Sequence, residues 1–161
     1  RECFVYSQNG IMPPENAPEV LALAAYISYL SHHEVIGREP AGRGSPTIPE
    51  TGFDPNPANG KVIYQQKCAA CHHKNGEGTQ IAPPLWGFNA YNAGAGMNDI
   101  RKAAGFIWAN MPLGQGKSLS YQESLDVSAY LNMQIRPNDP RNSKFRKLLE
   151  DIASAFGLIK N

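Results

Sequence analysis

The sequence predicts an all-α chain, and three observations carry that expectation. Apolar residues recur at helical spacing along Val20, Leu23, Ala24, Ile27 and Leu30, again along Ile100, Ala103, Ala104 and Ile107, and once more from Leu125 to Met133. No strand-like alternation of apolar and polar residues survives in the Gly- and Pro-punctuated stretch 34–56 or around the densest motif of the chain. That motif is Cys68-Ala69-Ala70-Cys71-His72.

On a helix, Cys68 and Cys71 lie on one face. Both sulfurs then reach the two vinyl groups of a single haem, and His72 puts a ring nitrogen on the iron. C-x-x-C-H therefore reads as covalent attachment of haem c. A structural zinc site would need four closed ligands, and the remaining cysteine, Cys3, lies far upstream. A thioredoxin-like pair would need a surrounding βαβ pattern. His73 is one position out of register with the motif and reads as a solvated neighbour. The motif within an all-α pattern predicts a cytochrome c-like (class I) haem domain.

The chain has 161 residues, a formal charge of +1 and 42% hydrophobic content. That charge balance argues against a nucleic-acid partner. Fifteen glycines and 13 prolines predict long loops, as a small domain wrapping a cofactor requires. Two of three cysteines go to the haem, leaving Cys3. Haem c is attached outside the bacterial cytoplasmic membrane, so an exported, periplasmic protein is expected. The opening Arg1-Glu2-Cys3-Phe4 shows no leader and reads as an interior cut. The longest apolar run, Val20 to Leu30, is too short to span a bilayer.

In chain order, Asn9-Gly10 reads as a turn. Asn16 is the expected N-cap of a helix over 18–32, with Pro18 and Glu19 in its first turn. His32 and His33 follow as cations at its C-terminal end. Residues 34–56 read as a linker crossing a surface. Pro57 opens the helix that leads into the haem motif, and Lys74 to Gly78 ends it. Asn98-Asp99 opens the next helix, closed by Met111-Pro112. Ser120 and Glu123 form a capping box for a helix reaching about Gln134. Arg136-Pro137 breaks it, and Phe145 to Leu158 reads as a last helix or arm. Lys144, Arg146 and Lys147 read as a solvated face, and Trp86, Trp108 and Phe106 as packing on haem or in the core. The implied division is 1–33, 34–56, 57–135 and 136–161. Helices 17–32 and 121–134 are read as equivalent elements of two related domains.

Two further haem contacts are expected. The apolar loop Ile81 to Gly87 offers the carbonyl of Pro84 to the second nitrogen of His72, which would fix the ring. The sixth iron ligand is expected to be a thioether. Met133 sits in a helix stripe and reads as core; Met97 lies in a glycine-rich loop. Met111 ends a helix and precedes Pro112, which holds an extended loop able to aim the sulfur, and it is the preferred ligand.

With the haem motif, Asn110-Met111-Pro112-Leu113-Gly114 and Asp126-Val127-Ser128-Ala129-Tyr130 in view, most of residues 3–142 resembles the dihaem thiosulfate dehydrogenases. That family joins two thiosulfates into tetrathionate, and some members run the reverse reduction. The resemblance implies two cytochrome c-like domains. The first carries the catalytic haem, bound by histidine and a cysteine thiolate; the second passes electrons on. Cys3-Phe4-Val5-Tyr6-Ser7-Gln8-Asn9-Gly10 resembles the segment around the ligating cysteine, followed by the run Ala24 to Leu30. By this likeness Cys3 ligates the catalytic iron and Ser7 lines the substrate pocket. Asn110 and Met111 stand beside the second haem, and residues 1–33 are the C-terminal part of the first domain. A second haem is expected in the full-length protein, with another cytochrome as electron partner. The first domain's own C-x-x-C-H is missing from this chain, and the family places an arginine a few residues before the cysteine, where this chain has Arg1 two residues before Cys3.

From the residues alone, Cys3 reads first as an inert thiol and second as a ligand. A thiolate ligand would lower the iron potential, and a thiolate near cations could carry a sulfane conjugate while an S–S bond forms. Two other readings stand beside the enzyme: an electron-transfer cytochrome without catalysis, and the dihaem subunit of a sulfur-oxidising cytochrome complex.

Overall fold

The computed structural model describes residues 1–39, 44–50, 52–142 and 144. Among these, all regular structure is helical. Six α-helices run in order: α1 (Glu2–Tyr6), α2 (Pro18–Leu30), α3 (Pro57–Lys67), α4 (Ala69–His72), α5 (Ile100–Asn110) and α6 (Tyr121–Asn132), with single 3-10 turns at Gly96–Asn98 and Pro140–Asn142. The expected arm Phe145 to Leu158 lies outside the described residues; Lys144 is exposed.

Local chemistry sets the helix starts. Asn56 caps α3, its side chain accepting from the Asn59 amide, and Pro57 follows at the first turn. The Asp99 carboxylate accepts from the amides of Arg101 and Lys102 at the start of α5. Ser120 and Glu123 make both bonds of the expected capping box on α6. α2 differs from expectation: its N-cap is Ala17, one residue later than Asn16, and it provides no side-chain acceptor.

Helices α3 and α5 both pack on α6. Gly60 stands where α3 crosses α6, and a Cβ there would overlap the Asp126 carbonyl. The main cluster gathers Ile63, Tyr64, Ile107, Leu119, Val127 and Leu131. Asp126, 1% exposed, ties the start of α3 to α6. It accepts from the Asn56 amide at 2.8 Å, Asn59 Nδ2 at 2.7 Å and Gln122 Nε2 at 2.7 Å. A buried carboxylate held by three donors is satisfied without a counter-ion.

The stretch before α3 docks rather than drifting over the surface. Ile48 is buried with Ala104 and Leu125, flanked by Phe53, Trp108 and Tyr121. The Pro46 carbonyl passes over α5 at Gly105, where any Cβ would collide with it. One other expectation needs correction: Met133 is 70% exposed at the end of α6 and is not core.

The N-terminal segment meets the domain through α1. Residues 1–8 lie against the loop 90–95 and the turn at 140–142. α2 buries none of its residues.

Candidate haem site

Cys68 sits between α3 and α4, its amide bonded to the Tyr64 carbonyl. The amides of Cys71 and His72 both turn back to the Cys68 carbonyl, at 3.1 and 3.0 Å. That single turn brings the two cysteines and the histidine together, as their spacing predicts. Both cysteines are free thiols. Burial pushes the Cys68 thiol up to about 11, against a smaller opposing pull from Lys67. In the bare protein this sulfur is a neutral thiol at physiological pH.

His72 Nδ1 lies 2.9 Å from a backbone carbonyl, and the carbonyl belongs to Pro83. The expected acceptor, Pro84, is one residue too far along. Gly78 and Leu85 explain the offset: the Gly78 amide bonds His72 O and the Leu85 amide bonds Gly76 O, which registers the loop so that Pro83 faces the ring. Gly78 adopts φ +77 and would strike Pro84 if it carried a Cβ. With Nδ1–H committed to Pro83, Nε2 is left as the free metal-binding nitrogen.

His73 does more than the sequence indicated. It ends α4 at φ +60, and its carbonyl accepts the Tyr64 hydroxyl at 2.6 Å. Tyr64 is fully buried, and burial raises its hydroxyl pKa well above the usual tyrosine value. Its ring packs against Trp86 and Tyr130 at centroid distances of 5.1 and 5.6 Å. Trp86 is thereby a core residue, seated over Gly76, where a Cβ would occupy the indole's place. Trp108 instead stacks near Tyr121, 4.9 Å away, in the second cluster.

Met111 leaves α5 in extended geometry, as a residue before proline must. It is half-buried and packs on the main cluster beside Cys68, Ala69, Leu85 and Trp86. Asn110 turns its side-chain amide back to the Phe106 carbonyl, 2.9 Å away. Met97 lies in the 3-10 turn, its carbonyl 3.5 Å from the Tyr91 hydroxyl.

The donor set fits haem c. Two free thiols three residues apart, a histidine with one nitrogen anchored, and a thioether bordering the same apolar cluster are what a covalently held, six-coordinate iron porphyrin needs. Cys3 stands apart. It is an exposed thiol on α1, and its carbonyl takes the amides of Ser7 at 3.2 Å and Gln8 at 3.0 Å. Ser7 is the C-cap of α1, four residues on from Cys3.

Comparison with known proteins agrees with this geometry. The family model for cytochrome c matches residues 57–134. A thiosulfate dehydrogenase of Thiomonas intermedia (strain K12) is 44% identical over 144 residues, covering 86% of this chain and 46% of the relative. One from Allochromatium vinosum is 40% identical, covering 84% of this chain and 52% of the relative. Among solved structures, a thiosulfate dehydrogenase (TsdBA) from Marichromatium purpuratum superposes with a TM-score of 0.76 at 40% identity, covering 91% of this chain and 34% of that one.

This chain is a homologue of the thiosulfate dehydrogenases.

It spans about half the length of the curated relatives it matches. Its haem domain is a cytochrome c domain, and Cys68 and Cys71 are the attachment points of its haem c. Among the described residues, no helix is long and apolar enough to cross a membrane. Sequence reasoning missed three residues near this site: Pro83, Tyr64 with its hydroxyl bond, and the fully buried Asn92, which binds the Cys3 segment to the domain.

Proposed function

We propose that this chain serves thiosulfate oxidation to tetrathionate, with its haem as the electron exit. The observation that supports it is the extent of the likeness. Identity of 44% runs over 144 residues, well beyond the haem domain at 57–134. A protein sharing only an electron-carrier domain would match over that domain alone.

In this reading two thiosulfate dianions join through their terminal sulfurs. One S–S bond forms, no bond breaks, and two electrons leave. Haem c supplies the one-electron chemistry that takes them away. The chain's own groups divide the work. Cys68 and Cys71 would fasten the cofactor, and His72 Nε2, with Nδ1 held by Pro83, and the Met111 sulfur would be its iron ligands. Cys3 is the thiolate ligand of a second, catalytic iron carried by a preceding domain. Ser7 lines the sulfur-anion pocket and Asn110 stands next to Met111. Residues 1–33 then belong to that preceding domain, and 34–56 link it to the complete domain at 57–135. The protein works in the periplasm and delivers electrons to another cytochrome.

Thiosulfate-driven ferricyanide reduction by the haem-loaded protein tests the proposal. Cys3→Ala is expected to lower turnover by about 10³-fold or more, as loss of a reacting group does, while the haem at Cys68 and Cys71 stays attached. Undiminished turnover in Cys3→Ala would remove the thiolate from the mechanism. No turnover in the native two-haem protein would leave an electron carrier.

A further inference from the structure

The segment that carries Cys3 is five residues of helix with no buried side chain. So short a helix has no stability of its own, yet a ligand or nucleophile must be held to within about half an ångström to be useful. The structure contains a device that could do this. Asn92 is completely buried, in the loop after Trp86. Its side-chain nitrogen donates to the Val5 carbonyl at 2.6 Å and its backbone amide to the Ser7 carbonyl at 3.0 Å. Its side-chain oxygen accepts from the Gly94 amide at 3.0 Å, which fixes the orientation of the amide group. Val5 and Ser7 are the last turn and C-cap of α1, whose carbonyls have no partner within the helix.

The loop that holds Asn92 is itself fastened from behind. The Ala93 amide bonds the Pro137 carbonyl at 2.9 Å, and the Gly87 amide bonds the Ile135 carbonyl at 2.8 Å. Arg141 donates to the Gly94 carbonyl at 2.9 Å, pairs with Asp139, and places its guanidinium 5.5 Å from the Tyr6 ring. The same loop begins at Pro83 and Leu85, which register His72. One continuous run of chain therefore touches the anchored histidine at one end and the Cys3 helix at the other.

We propose that Asn92 is a positioning residue that holds the Cys3-bearing helix at a fixed place on the cytochrome c domain, through the carbonyls of Val5 and Ser7. The inference rests on Cys3 being the thiolate ligand. It adds that the geometry between the thiolate and the electron-exit haem is set by this clamp. An apolar side chain in its place would leave the Val5 carbonyl bare, while the backbone bond to Ser7 would survive. Asp at the same position keeps the acceptor for Gly94 but loses the donor to Val5, and sets one oxygen against another.

The test uses haem-loaded protein with Asn92→Asp. Backbone amide exchange at Ser7 and Gln8 is expected to rise about tenfold or more, the effect of losing one such bond. The electron-paramagnetic signature of thiolate-ligated low-spin iron is expected to broaden or split. The Soret band of the His72 haem should stay in place, and kcat should fall. Should Asn92→Asp fail to fold, Arg141→Gln tests the same clamp from its exposed side, with exchange at Ser7 and Gln8 rising about two- to threefold. Native exchange at Ser7 and Gln8 in the folded variants would overturn the clamp. Raised exchange with an unchanged iron signature and kcat would overturn the positioning role. Cys3→Ala separates the two ideas: native turnover there defeats the thiolate reading whatever Asn92 does, whereas lost turnover there with an undisturbed Asn92→Asp defeats only the clamp.

Discussion

Helices α2 and α6 share a local sequence and differ in almost everything else. Ala25-Tyr26-Ile27 in α2 has its counterpart in Ala129-Tyr130-Leu131 of α6. Tyr130 lies 5.6 Å from the Tyr64 ring and 5.9 Å from Trp86, and Leu131 is buried. Tyr26 and Ile27 stand more than half exposed, as do Leu21, Leu23, Tyr29 and Leu30. The α6 pattern is answered by α3 and α5; the α2 pattern has no such answer among the described residues. An amphipathic helix is thus a request for a partner, and the pattern alone does not say whether the partner is present. Contiguous apolar exposure of this extent marks an interaction surface, in keeping with the proposal that α2 belongs to another domain.

The sharpest way to break the comparison is to cut one leucine from each helix. Leu125→Ala removes a side chain that is 1% exposed and joins both α5 and the docked Ile48. Thermal or denaturant unfolding of the haem-loaded chain should show a loss of about 2–5 kcal/mol. Leu23→Ala, at a half-exposed site in α2, should cost under about 0.5 kcal/mol. Equal losses would mean that α2 is covered after all and that the contrast is false.

Much of α6 was legible because its signals are local. Ser120 and Glu123 announce a capping box three residues apart, and Asn56-Pro57 and Asp99 announce α3 and α5 in the same way. The haem motif is legible because its chemistry lies in side chains at fixed spacing. Pro83 was not, since its contribution is a backbone carbonyl, and which of two adjacent prolines presents it depends on the Gly76 and Gly78 turns. Asn92 had no local signal either, because its partners, Val5 and Ser7, are far away in the chain. Gly105 was a signal left unread: a glycine inside a helix costs stability unless something passes close by, and the Pro46 carbonyl does.

A second pair of measurements sharpens the contrast at the helix starts. Ser120→Ala removes the acceptor for the Glu123 amide and should cost about 1 kcal/mol in the same unfolding assay. It should also raise amide exchange in the first turn of α6. α2 starts at Ala17 without such an acceptor, so its first turn should exchange in the native protein much as the α6 turn does in the variant. If Ser120→Ala leaves stability unchanged, tertiary packing alone holds α6, and the cap is not what distinguishes the two helices.

The smallest effect is electrostatic and depends on pH. The Glu123 carboxylate accepts from the Ser120 amide at 2.8 Å, and that bond is the main cause of a pKa below the ordinary carboxyl value of 4.5. Burial, the second-largest effect, pushes upward, and the Ser120 hydroxyl and the Lys67 ammonium add smaller lowering contributions. Since the folded pKa lies below the unfolded one, the ionised form stabilises α6 fully above the usual carboxyl range. The contribution fades as pH falls through the lowered folded value. About a third of the Glu123 side chain is exposed, so solvent screens the charge and the gain is held to about 0.3–0.5 kcal/mol. Glu123→Gln keeps an oxygen for the Ser120 amide and removes only the ionisation. Denaturant unfolding at pH 7 should find the variant less stable by that small amount, and the difference should fade as the pH falls through the lowered carboxyl value. A gap that persists undiminished in acid would mean that the glutamate acts by packing, and that the charge at the start of α6 contributes nothing α2 lacks.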